Sequence, residues 1–223
     1  MADNKVRKRC CMIVYAPYPL GETRVQRQAE ALLRHGYDVD VICLKLPDDL
    51  PVDQYNGVHI YREKYRFPYF GFIQNELLAK FFNYSRFFLS AGWRVAQLHS
   101  KYKYDIIQVH NLPDYLIFSA FIPKLIGIPI ILDLHDLMPE FFASRFKTGL
   151  PFMAKLIFLQ EHLSCKFADH IITVSEHWRL ALIKRGVPAQ KCSVIMNVAD
   201  DNVFTPCAVD LNRRSCPNQL RLI

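Results

Sequence analysis

Apolar positions along this chain follow two periods in turn. Short, mainly apolar runs occur at Cys10 to Ala16, which is continuous, and at Val39 to Leu44, Val58 to Tyr61, Tyr104 to Val109, Ile128 to Leu134, Ile171 to Val174 and Ser193 to Met196. Such runs predict strands buried on both faces. Helical spacing fills the intervals. Val25, Ala29, Leu32 and Leu33 form the inner face of a helix starting at Thr23, where Thr23-x-x-Gln26 has the form of a capping box. Gly36 stands where a helix end favours positive φ. Further helices are predicted over Asn75 to about His99, Asp114 to Leu125, Phe152 to Phe167 and Glu176 to Lys184, the last closed by Gly186. Repeated β–α units with no internal repeat predict an α/β fold: a doubly wound, mainly parallel, Rossmann-like sheet with right-handed crossovers.

Composition narrows the class. An apolar fraction of 51% over 223 residues suffices for a sizeable core. The seven cysteines (Cys10, Cys11, Cys43, Cys165, Cys192, Cys207 and Cys216) form no C-x-x-C pair, so a reduced setting fits better than a disulfide framework or a zinc site. The basic start followed by Cys10 to Ala16 resembles a signal peptide. The run is short and ends at Pro17, which makes it a first strand instead. No stretch reaches the roughly 18 apolar residues of a membrane-spanning helix. The net charge of +7 is unevenly placed, with eight basic residues against two acidic between Arg62 and Lys103, a patch that attracts anions.

In open α/β sheets, ligands sit beyond the carboxyl ends of the strands. The residues there are Pro17 to Gly21, His110-Asn111, His135-Asp136, Ser175-Glu176 and Asn197. Asp114 and Ser175 are also candidate helix caps, with capping favoured for Asp114. No G-x-S-x-G surrounds Ser175, and no G-x-G-x-x-G follows a strand, so neither a serine hydrolase nor a dinucleotide oxidoreductase is indicated. Asp136 and Glu140, separated by Pro139 and lacking a third ligand at helical spacing, do not predict a metal site.

The order and spacing of five segments are similar to those of one family. They are Met12 to Gly36, Tyr104 to His110, Ile131 to Asp136, Ala168 to Ser175 and Val194 to Phe204. Together they resemble the N-terminal domain of the GT-B glycosyltransferases of family 4, which move a sugar from a nucleotide-sugar to an acceptor with retention of configuration. The resemblance implies a Rossmann-like acceptor-side domain over 1–196 and an interdomain linker over 197–217. It also implies the start of a truncated C-terminal nucleotide-sugar-binding domain at 218–223. His135 matches the family's histidine near the transferred sugar and is the expected catalytic residue. Gly21, His110, Asn111, Asp136, Ser175 and Asn197 are the expected substrate-binding set. Gly21 stands alone where the family has paired glycines, and Val198 stands where a glycine usually follows the asparagine. The co-substrate is a nucleotide-sugar, bound through the C-terminal domain, and no cofactor or metal is implied.

The segment from Tyr69 to Trp93 carries more aromatic residues than one packed face requires, with basic residues interspersed. Lys80, Arg86, Trp93 and Arg94 are therefore expected to contact an anionic membrane surface. Nucleic acid is not an expected partner, because no recognised module is present. The whole points to a glycosyltransferase half acting on a glycan or lipid-linked acceptor in polysaccharide or cell-envelope biosynthesis. Its expected place is cytoplasmic, peripheral on the inner membrane, and inactive without a C-terminal domain. The competing expectation is a non-catalytic module from a truncated or split gene that binds acceptor or membrane.

Overall fold

The computed structural model describes residues 7–20, 22–64, 76–145 and 151–197. Eight strands form one sheet in the order β3-β4-β2-β1-β5-β6-β7-β8. They are β1 (Arg9–Ile13), β2 (Asp38–Leu44), β3 (Val52–Tyr55), β4 (Val58–Glu63), β5 (Ile106–His110), β6 (Ile130–Leu134), β7 (His170–Thr173) and β8 (Cys192–Val194). All neighbours pair in parallel except β3 with β4. The order reverses at β1, which lies between β2 and β5. That reversal is where a doubly wound sheet leaves a crevice beyond its strand ends.

Helices α1 (Thr23–Arg34), α2 (Glu76–Tyr102), α3 (Phe121–Leu125), α4 (Met138–Arg145), α5 (Pro151–Phe167) and α6 (Glu176–Lys184) fill the connections, with a 3₁₀ segment at Asp114–Ala120. Two apolar clusters sandwich the sheet. One joins Met12, Val41 and Ile60 to Val25 and Ala29 of α1. The other joins Ile13, Val109 and Leu132 to Phe87, Val95, Leu116, Cys165 and Leu182 of the helical layer opposite. Gly36 and Gly186 adopt the positive φ expected of them, 80° and 97°, where the chain leaves α1 and α6. All five cysteines in the described residues are free and buried. Cys207 and Cys216 lie outside those residues, as do Tyr69, the proposed linker beyond Asn197 and the segment 218–223.

Local structure departs from expectation in four places. The capping box at Thr23 does not form. Thr23 is already helical, Glu22 occupies the cap without a side-chain bond, and Gln26 bonds Glu30 instead. The stretch Asp114 to Leu125 divides into a 3₁₀ segment and a short α-helix. Asp114 does not cap it: Pro113 holds the cap position, and the Asp114 carboxylate is buried against Asn111. Two elements are additional, the exposed edge strand β3 and the helix α4. The cap at Ser175 is as expected, its Oγ accepting from the Trp178 amide at 3.3 Å.

Candidate active site at the carboxyl edge of the sheet

The carboxyl ends of β5 and β6 lie side by side, with His110 paired to Asp133 across the ladder. Around Asp133 the fold assembles a buried polar cluster inside an otherwise apolar sheet. The Arg24 guanidinium on α1 grips this carboxylate with two bonds, Nε to Oδ2 at 3.2 Å and Nη2 to Oδ1 at 2.8 Å. One turn further along α1, Gln28 Nε2 donates to Oδ2 at 2.8 Å, and Gln108 Nε2 of β5 donates to the same oxygen at 3.1 Å. Bidentate Arg–carboxylate geometry is the strong form of this interaction. Both charges are nearly inaccessible, so each depends on the other.

The histidines complete the cluster. His110 Nδ1 lies 3.4 Å from Asp133 Oδ2 and 3.2 Å from His135 Nε2. His135 Nε2 is 3.7 Å from Asp133 Oδ2, and its Nδ1 faces Glu22 Oε2 at 3.8 Å. Burial pushes the His110 pKa down, and His135 and Arg24 add to that against the pull of Asp133, so His110 is held neutral. A neutral His110 carrying its proton on Nδ1 donates towards Asp133 and His135. Its Nε2, buried and without a partner, is then the unprotonated nitrogen. For Asp133, burial would raise the pKa, but its contacts with His110, His135 and Arg24 outweigh it and hold the carboxyl well below its usual range.

Asn111 fixes the loop that carries His135. Its Oδ1 accepts from the His135 amide at 2.7 Å, and its Nδ2 donates to the Asp136 carbonyl at 2.6 Å and to Asp114 Oδ1 at 3.0 Å. Asn197 is tied to the same cluster: Arg24 Nη1 donates to its Oδ1 at 2.7 Å and to the Ile195 carbonyl at 2.9 Å. The structure thus brings His110, Asn111, His135, Asp136 and Asn197 to one edge around Asp133 and Arg24. His110 is fully buried and Asn111 nearly so, whereas His135 is partly open and Asp136 exposed. Ser175 is engaged as a helix cap. Gly21 lies outside the described residues.

Three ligand-type atoms, from His110, Asp133 and His135, lie within 4.8 Å of one another. Asp133 Oδ2 already accepts from both glutamines and from Arg24, and the guanidinium supplies the positive charge that a divalent ion would bring. The donor set therefore suits a hydrogen-bonded cluster better than a metal. Glu140, weighed above beside Asp136, is paired with Arg185.

Asp114 supplies a pH signature. Burial, opposed by the bond from Asn111, raises its pKa to about 7. A carboxyl raised from its unfolded value binds its proton more tightly in the fold, so stability declines as pH climbs from about 4 to about 7. Asp114→Asn is expected to remove that decline. Its stability relative to the parent should rise across the same window in urea titrations, and a difference independent of pH would contradict it.

The membrane residues sort differently from expectation. Trp93 is exposed, but Arg94 Nε is engaged by Glu63 at 2.6 Å and Arg86 Nε donates to the Lys64 carbonyl at 3.2 Å. Lys80 is exposed and has interactions of its own. Among the described residues, no helix is long and apolar enough to cross a membrane.

Comparison with known proteins places this geometry. Residues 21–197 match the model of the Glycosyl transferase 4-like domain. Sucrose-phosphate synthase from Thermosynechococcus elongatus has a similar structure, with a TM-score of 0.65 at 18% identity, covering 90% of this chain and 51% of that one. HepE from Anabaena, solved with UDP and glucose, gives 0.54 at 19% identity, covering 89% and 46%. UGT2 from Phytolacca americana, complexed with UDP-2-fluoro-glucose and pterostilbene, gives 0.57 at 11% identity, covering 89% and 56%. The chain spans about half the length of these proteins, and at such identities the likeness is one of fold.

Proposed function

Since this chain belongs to the Glycosyl transferase 4-like domain family, we propose that it is the acceptor-side half of a retaining glycosyltransferase. It would pass a sugar from a nucleotide-sugar to a glycan or lipid-linked acceptor in polysaccharide or cell-envelope assembly. The observation that carries this reading is the charged, histidine-bearing cluster at the carboxyl edge of the sheet, beside the strand-order reversal. Two structurally similar proteins were solved with a uridine nucleotide or its sugar, which supports a donor of that class. The donor is held from the C-terminal side of the complete enzyme, and the acceptor is presented at the cytoplasmic membrane face.

Breaking a sugar–phosphate bond places positive character on the sugar ring and negative charge on the leaving diphosphate. Catalysis therefore rests on electrostatic stabilisation and orientation. His135 is the proposed catalytic residue, its partly open imidazole donating to a sugar hydroxyl or to charge that develops beside it. His110 and Asn111 act from behind, one on the ring and one on the backbone of His135. Asp136, Ser175 and Gly21 are proposed to line the acceptor path, and Asn197 to sit where the donor half meets this one. No metal or organic cofactor has a role in this proposal.

The test is transfer of labelled sugar from a panel of nucleotide-sugars to lipid-extractable or soluble glycan acceptors. The chain is assayed alone and with a C-terminal nucleotide-sugar-binding unit. Transfer in either arm supports the enzyme. Acceptor binding without transfer in both arms supports a non-catalytic acceptor- or membrane-binding module instead.

A further inference from the structure

We infer that the α2–α3 flank of the helical layer docks on an anionic bilayer, with the apolar end of α3 and the outer side of α2 as the inserting surface. The inference deepens the membrane-facing acceptor reading above and rests on it for its purpose. It replaces the basic residues of α2 as the principal contact.

The geometry starts at Gly92. A Cβ built there would meet the Ser119 carbonyl oxygen at 3.3 Å, so glycine allows α2 to lie directly on the 3₁₀ segment that leads into α3. Phe88 and Tyr115 make an edge contact across the same seam. This close approach brings the part of α2 that carries Trp93 against the 3₁₀ segment leading into α3. The inner stripe of α2 (Phe87, Ala91, Val95 and Leu98) is consumed by the core. Leu89 and Trp93, one turn apart, point outward instead, as do Phe121, Ile122, Leu125 and Ile126. Every one of these six is more than half exposed, Leu125 reaching 69% and Trp93 67%. Scattered exposed apolar residues need no explanation, but a cluster built from two packed helices marks an interaction surface.

Charge selects the occupant. Between Leu78 and Ile126 there are six basic residues against two acidic. Both acids are committed: Asp105 accepts from the Arg9 amide, and Asp114 is buried. The flank therefore presents no uncommitted carboxylate to repel lipid phosphates. Protein interfaces enrich arginine and deplete lysine. Here both arginines are engaged by protein groups and the exposed basic residues are Lys80, Lys101 and Lys103, while Lys124 of α3 is paired with Asp169, which neutralises that carboxylate. Tryptophan and aliphatic side chains bordered by lysine suit the headgroup boundary of an anionic membrane.

The test is co-sedimentation of the purified chain with vesicles of neutral lipid and with vesicles containing about one third anionic lipid. The parent is expected on the anionic vesicles and not on the neutral ones. Leu89→Glu/Leu125→Glu should lower binding at least about tenfold, whereas Leu50→Glu, exposed on the loop before β3, should leave it unchanged. In a Trp178→Phe background, Trp93 is the sole tryptophan, and its emission should shift to the blue with anionic vesicles. Equal binding to both lipids, no binding, or a double variant that binds like the parent would overturn the inference. So would a concentration-dependent dimer that the double variant dissolves, because the surface would then belong to a second copy. Sugar transfer is scored separately. Vesicle binding without transfer leaves the docking surface standing and removes the enzyme, and transfer without binding does the reverse.

Discussion

Asp133→Ala is expected to destabilise the fold by roughly 3–5 kcal/mol, the cost of breaking a buried ion pair from one side. The aspartate is fully buried, and its two oxygens take four bonds from Arg24, Gln28 and Gln108. Alanine would take the carboxylate from a guanidinium that is 8% exposed, leaving its Nε and Nη2 unpaired while Nη1 keeps Ile195 and Asn197, and would also take it from two amides and the buried His110 ring. Leaving such donors unpaired is the expensive outcome, more so than losing the attraction itself. A paired replacement, Arg24→Met with Asp133→Leu, should recover part of the loss, because it removes both charges while Gln28, Gln108 and His110 still lose their acceptor. Urea unfolding followed by circular dichroism measures both variants. An Asp133→Ala midpoint equal to that of the parent would mean that the cluster is not closed as described.

The second large effect concerns chemistry. In whichever arm of the transfer assay the parent is active, His135→Ala should lower kcat by about 100-fold while leaving the fold intact, as expected for loss of one oriented donor at a site of developing charge. The ring is partly exposed, its ring contact is an edge-on one with His110, and its backbone amide still bonds Asn111. Asn111→Ala should act on the same step more weakly and should also lower stability, since three bonds are lost. If His135→Ala transferred sugar at the parent rate, the assigned role would be wrong even with the family assignment intact.

The parallel sheet was legible because seven of its strands are short apolar runs, and their ends marked the edge where His110, His135 and Asn197 meet. The exceptions have physical causes. Strand β3 is exposed throughout and carries Asp53 and Gln54, so it has no apolar period to detect; it pairs with the antiparallel strand β4 at the sheet edge. The 3₁₀ segment buries Leu116, Ile117 and Ala120, residues that fit an α-helical reading equally well over so short a span.

The centre of the site, Asp133 with Arg24, was not legible as a site, although it left two traces. A carboxylate stands inside the apolar run Ile130 to Leu134. Arg24 and Gln28, one turn apart, share the inner side of α1 with Val25 and Ala29. Polar residues in buried strands do not declare their function. Asp40 interrupts β2 in the same way, yet at its position it accepts from Arg9 and Tyr104 far from the strand tips of β5 and β6. Asp40 even faces His59 at 3.3 Å, so only the fold shows which buried carboxylate lies at the carboxyl edge with His110 and His135.

That the carboxyl edge around His135 meets the sugar of a nucleotide-sugar held from the C-terminal side is tested most directly by amide chemical-shift mapping of the ¹⁵N-labelled chain, combined with an unlabelled C-terminal nucleotide-sugar-binding unit, during titration with UDP-sugars and GDP-sugars. The expected result is concerted movement of Asn111, His135, Asp136 and Asn197, while Arg9, Asp38 and Asp105 at the opposite strand ends stay fixed. Shifts confined to those opposite ends, or none at millimolar ligand, would contradict it.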